Sequence, residues 1–111
     1  MSSYYESGDL KKFGEIGEHA KELADGFFRY YGQVTGTDGA LSKREKALIA
    51  LAVSHAMKCP YCIDAYTTQC LETGSNPEQM MEAVHVAAAM QAGITLVHSV
   101  QMQNQLRKMV L

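Results

Sequence analysis

The chain has 111 residues, 47% of them hydrophobic, and a formal net charge of -2. That length suits one domain, expected over residues 1–111, with a packed core; the mild acidity argues against nucleic-acid binding, which calls for a basic surface to displace phosphate counterions. No run of about 18 apolar residues is present, so no membrane partner is expected; MSSYYESGDLKKF lacks the charged-then-apolar order of a signal peptide, which points to a cytoplasmic location.

Strand patterns are weak and helical periodicity is strong. A first helix is expected from Asp9, with Leu10, Phe13, Ile16, Ala20, Leu23, Phe27 and Tyr31 recurring at three- or four-residue spacing. Gly14, Gly17 and Gly26 predict a kink or a split in it. The aromatic run Phe27, Phe28, Tyr30 and Tyr31 cannot all face one core, so one side is expected to meet a second copy of the chain. Gly32 to Ala40 reads as a loop. Ser42 and Glu45 fit a capping box. The helix they open carries Leu48, Leu51, Ala52 and His55 near one stripe and should end near Lys58, because Pro60 disfavours helical geometry at Cys59. Pro60 suits the first turn of the next helix, which should reach about Thr73 and stop at Gly74. Ser75-Asn76-Pro77-Glu78-Gln79 opens another, rich in Ala, Met and Val from Met80 to Gln91. Gly93 is expected to break or kink it. A last helix is expected from about Thr95 to Lys108, with Arg107 and Lys108 at its negative end. The expected fold class is all-α, a compact bundle of five to six helices.

Three cysteines are an odd number, unlike a secreted disulfide scaffold, and a close pair in a reducing cytosol is more often catalytic or metal-binding. Cys59 and Cys62 lie at a helix start on roughly one face, about 60° apart around the axis. The positive end of the helix favours a thiolate there. Three chemistries fit such a pair: a redox-active dithiol, a zinc site completed by Cys70 and histidines, or two inert buried thiols. The redox reading is favoured, because it needs only the pair.

The stretch LSKREKALIALAVSHAMKCPYCIDAYT from Leu41, followed by AVHVAAAMQAG from Ala83, resembles the core of the carboxymuconolactone decarboxylase and alkylhydroperoxidase D-like superfamily over roughly residues 41–100. CPYCIDAYT, HVAAAMQAG and ITLVHSVQM are further similar to a peroxidase-like subgroup associated with arsenosugar biosynthesis. The resemblance implies an alkylhydroperoxidase D-like all-helical fold that assembles as a homo-oligomer (dimer, trimer or hexamer). It implies a thiol-dependent peroxidase with no cofactor, whose substrate is a hydroperoxide or disulfide and whose electron donor is a dithiol. It assigns attack on the peroxide to Cys62 and resolution to Cys59. The alternatives are lactone decarboxylation, the superfamily's other activity, and non-enzymatic binding of a soft metal or metalloid by Cys59, Cys62 and Cys70.

One part of the family pattern is missing. The family's proton relay uses a glutamate twelve residues before the first cysteine and a histidine four after the second; here those positions hold Ala47 and Tyr66. A thiol needs a base or a field to ionise near neutral pH. His55, one turn before Cys59, and Tyr66, one turn after Cys62, are the candidate substitutes. His85 and His98 on later helices are further candidates, and Glu45 is accounted for by its cap. The later methionines, among them Met80, Met81, Met90, Met102 and Met109, are expected to pack in the core or between subunits.

Overall fold

The computed structural model describes residues 6–109; the first five residues of the stretch MSSYYESGDLKKF lie outside them. A 3-10 helix, Asp9–Gly17, is followed by four α-helices: α1 Lys21–Thr35, α2 Lys43–Ala56, α3 Pro60–Glu72 and α4 Pro77–Met109. No strand occurs among the described residues. The fold is all-α with five helices, as the periodicity predicts.

The expected split of the first helix occurs at Gly17. A Cβ at Gly17 would stand 2.8 Å from the Ala24 Cβ, so only glycine lets the 3-10 helix fold back this closely on α1. Phe13 then meets Phe28 at a ring-centroid distance of 5.0 Å and Phe27 at 6.0 Å. Tyr31 joins them at 5.3 Å from Phe27. Tyr30 points away and is exposed, so the aromatic run does divide between two sides.

α2 starts on the expected capping box. Ser42 Oγ accepts the Glu45 N–H at 3.1 Å, and Glu45 Oε1 accepts the Ser42 N–H at 2.9 Å. α2 and α3 both end on Schellman motifs. At the first, the Lys58 N–H reaches the His55 carbonyl and the Cys59 N–H reaches the Ser54 carbonyl; at the second, Gly74 and Ser75 repeat the pattern on Leu71 and Cys70. The left-handed position is Gly74 in one case (φ 97°) and Lys58 in the other (φ 55°). α3 thus folds back along α2. Ala47, Leu51 and Cys70, exposed by 3%, 2% and 0%, form the core, with Leu48, Tyr66, Met80 and Val84 packed against it.

Three expectations are corrected. Gly32 lies inside α1, which runs on to Thr35, so the loop begins only at Gly36. The stripe of α2 facing the core takes in Ala47 and Ser54 beside the expected Leu48 and Leu51, and His55 is only half-buried. Gly93 breaks nothing, and Pro77–Met109 is a single helix of 33 residues. One interior glycine costs about 1 kcal/mol relative to alanine, too little to interrupt a long run of good helix formers. This uninterrupted helix is long and apolar enough to cross a bilayer by length and composition, whereas a break at Gly93 would leave two pieces too short to do so.

The isolated chain leaves most of α4 bare. From Ala88 to Met109 every residue is exposed except the half-buried Ser99. The radius of gyration is 19.1 Å, where a compact domain of this size has about 13 Å. The accessible surface is 8764 Å², against about 6,000 Å² for a folded monomer of this mass.

Candidate active site

Cys59 occupies the N-cap of α3, with an extended backbone, and Pro60 opens the helix behind it. Pro60 contributes no N–H, so it adds no unpaired donor at the helix start. The Cys59 Sγ accepts the backbone N–H of Cys62 at 3.3 Å, taking the place a Ser or Asp oxygen holds in an ordinary cap. The two Sγ atoms share a hydrogen bond at 2.6 Å, and both cysteines are free thiols. A disulfide between them needs little backbone movement.

The two sulfurs differ electrostatically. Burial, and then the hydrogen bond and charge of Cys59, push the Cys62 thiol up to about 11. The Cys59 sulfur accepts the Cys62 N–H at the positive end of α3, a setting that favours a thiolate. Cys70, the third thiol, is pushed up by burial and sits in the core.

Cys59 and Cys62 both open onto an apolar cavity of about 590 Å³. Leu10, Phe13 and Ile16 of the 3-10 helix form one wall, Ala65 and Tyr66 of α3 another, and Tyr31 of α1 a third. Asp9, Lys12 and Tyr61 stand at the polar rim. The Tyr61 hydroxyl donates to Asp9 Oδ2 at 3.3 Å, tying the 3-10 helix to α3. The Asp9 carboxyl is held below its ordinary range, chiefly by the Glu6 backbone N–H it accepts.

Inside the cavity the phenol oxygens of Tyr31 and Tyr66 are hydrogen-bonded to each other. Burial, then this bond, pushes the Tyr66 phenol well above its usual range. The Thr35 hydroxyl donates to the Tyr31 carbonyl one turn on.

Of the expected site residues, Cys59, Cys62 and Tyr66 are brought together. His55 is not among the residues lining the cavity; its Nδ1 bonds the Leu51 carbonyl at 2.8 Å. His85 and His98 are exposed on α4, and His98 Nδ1 bonds the Ile94 carbonyl. Glu45 is committed to its cap. No group of three metal-ligating side chains occurs among the described residues. Tyr31 is the site residue that sequence reasoning missed as such. It was visible only as a member of an aromatic stripe, since its partner stands 35 residues away.

The model of the Carboxymuconolactone decarboxylase family matches residues 21–104. A curated relative, described as uncharacterized protein 4 in the cox locus of Paracoccus denitrificans, is 41% identical over 86 residues, covering 78% of this chain and 77% of that protein. Among solved structures, the apo form of a carboxymuconolactone decarboxylase family protein from Legionella pneumophila is similar at a TM-score of 0.65 and 26% identity, over 85% of this chain and 90% of that one. These comparisons distinguish no subgroup within the family.

Proposed function

The chain belongs to the carboxymuconolactone decarboxylase family, and we propose that it is a dithiol peroxidase reducing organic hydroperoxides through Cys59 and Cys62. The observation that carries this reading is the thiol pair 2.6 Å apart, at a helix N-terminus, facing an apolar cavity. The Cys59 thiolate attacks the terminal peroxide oxygen, the O–O bond breaks, and the departing alkoxide takes a proton to leave as an alcohol. Cys59 becomes a sulfenic acid. The Cys62 sulfur then attacks the Cys59 sulfur, a disulfide forms, and hydroxide leaves as water. An external dithiol reduces the disulfide and is itself oxidised.

This order reverses the one implied by the family resemblance. Cys59 is favoured as the first nucleophile because its sulfur caps the positive end of α3, while burial pushes the Cys62 thiol up. The test is anaerobic treatment with cumene hydroperoxide followed by peptide mass spectrometry. Wild type should form the Cys59–Cys62 disulfide and release one alcohol per disulfide. Cys62→Ser should stop at a sulfenic acid on Cys59. A wild-type protein with both thiols unchanged would remove this reading. Lactone decarboxylation that survives in the Cys59→Ser/Cys62→Ser double variant would replace it.

We further propose that the working form is a homo-oligomer whose subunits cover α4. The surface excess of the isolated chain, with Ile94, Val97, Val100 and Leu106 all exposed, supports this. Light scattering on wild type and on Val97→Glu/Val100→Glu should give an assembly for the first and a smaller species for the second. A wild-type monomer in solution would refute it.

A further inference from the structure

Reduction of an alkyl hydroperoxide needs two things from a protein: a thiolate and a proton donor. The thiolate is accounted for by the α3 N-terminus. Alkoxide is a strong base and a poor leaving group, so the O–O bond breaks slowly unless a proton arrives as it does. The family's charged relay is absent, since Ala47 is an uncharged core residue. His55 does not line the cavity. Three O–H groups do, Tyr31, Tyr61 and Tyr66; Tyr61 donates to Asp9 at the rim, while Tyr31 and Tyr66 bond each other.

From the shared cavity and the paired phenols, resting on the peroxidase reading above, we propose that Tyr66 is the general acid for the departing oxygen and that Tyr31 is the residue that positions it. Cys59, Cys62 and Tyr66 follow at i, i+3 and i+7, which places them on one face of α3. Helical side chains lean towards the N-terminus, so the Tyr66 ring extends back over the turn that carries Cys62. The two are close enough that charge on Cys62 is felt at Tyr66. The proposed pose lays the hydroperoxide along this face, its terminal oxygen at Cys59 and its second oxygen towards the phenols.

The proton balance closes with one proton drawn from solvent. Tyr66 gives its proton to the alkoxide as the O–O bond breaks, leaving a phenolate. The phenolate, the stronger base of the two, takes the Cys62 proton. Cys62 thereby becomes a thiolate only after Cys59 has been oxidised, and it attacks the sulfenic sulfur. The hydroxide released takes a proton from solvent. Burial of Tyr66 keeps the phenol neutral in the resting state, so it holds a proton to give. The role of Tyr31 is to hold the Tyr66 hydroxyl at the cavity wall.

The experiment compares two oxidants on the reduced full-length protein, following disulfide formation by stopped flow. Cumene hydroperoxide leaves as an alkoxide and needs an acid. 3-Chloroperbenzoic acid leaves as a carboxylate, a weak base, and does not. Tyr66→Phe should slow the first by about 100-fold or more and the second by less than about 3-fold. Tyr31→Phe should slow the hydroperoxide by about 10-fold, the worth of one positioning hydrogen bond. The double variant should match Tyr66→Phe alone. A structural defect would slow both oxidants together. Equal slowing, or wild-type rates with cumene hydroperoxide in Tyr66→Phe, overturns the acid role. If wild type forms no disulfide with either oxidant, the peroxidase reading itself has failed, and the two failures are thereby distinguished.

Discussion

The asymmetry between the two thiols makes a quantitative prediction for alkylation. Cys62 is pushed up to about 11 from an ordinary 9.0. At pH 7 its thiolate fraction is about 10⁻⁴, against about 10⁻² for an unperturbed thiol of that kind, a deficit of about 100-fold. A more basic thiolate is also more nucleophilic, with a Brønsted slope of about 0.5, which restores about 10-fold. The net expectation is a Cys62 alkylation rate about 10-fold below that of an ordinary thiol. Cys59 should label first. Pulses of iodoacetamide from about pH 6 to about pH 10, read by peptide mass spectrometry, measure both rates. Two of the three causes at Cys62 come from Cys59, and only burial remains without it. In Cys59→Ser the Cys62 profile should therefore move to lower pH but stop short of an ordinary thiol. Faster labelling of Cys62 than of Cys59 in wild type would refute the reasoning. So would a Cys62 profile unmoved by Cys59→Ser.

The same shift fixes the sign of an alkaline stability change. The folded state holds the Cys62 proton more tightly than the unfolded chain, so unfolding releases protons between about pH 9 and about pH 11, and stability falls as pH rises through that window. Thermal unfolding scanned over it should show a declining midpoint, with a shallower decline in Cys62→Ser. Ala47→Glu places a carboxyl at a position 3% exposed beside Leu51 and Cys70; it should cost about 3 kcal/mol or more in urea unfolding, and a cost below about 0.5 kcal/mol would contradict the core placement. Lys58→Gly relieves a left-handed backbone at φ 55° and should raise stability by about 1 kcal/mol by the same assay.

What could be read from the sequence was what is decided locally. The Ser42–Glu45 box, the proline after Cys59 and the glycine at position 74 each act within one turn, and each sits as expected. Asn76 and Gln79 likewise cap each other reciprocally at the start of α4. Gly32 and Gly93 misled because a helix sums its propensities over many residues and tolerates one poor one. His55 misled for a different reason. Helical spacing brought it near Cys59 in projection, but its ring nitrogen is taken by the Leu51 carbonyl and it does not line the cavity. Tyr31 could not be found by spacing at all, because its place comes from a hydrogen bond to a residue 35 positions away. The exposed half of α4 was equally hidden, since a run of Ala, Val and Met looks the same whether its cover is this chain or another.

Ala47 and Tyr66 are best understood as one change rather than two losses. A glutamate at position 47 would stand among Leu51, Cys70 and the Tyr66 ring, where an ionised carboxyl needs a partner to offset its desolvation. With alanine there, the aromatic body of Tyr66 packs on the core while its hydroxyl turns to Tyr31. The site thereby trades a charged relay for a neutral phenol pair. In a charged relay, one chain of groups both ionises the thiol and supplies the proton. In the mechanism proposed above the two tasks fall to different elements: the α3 N-terminus favours the Cys59 thiolate, and the phenols handle the proton. Separation has a kinetic consequence. Mutating the phenols should leave the ionisation of Cys59 untouched, so iodoacetamide labelling of Cys59 in Tyr31→Phe/Tyr66→Phe should follow the wild-type pH profile while hydroperoxide reduction falls. A Cys59 profile displaced by a full pH unit in that variant would mean that the phenols ionise the thiol after all, and that the division of labour between helix and phenols is wrong.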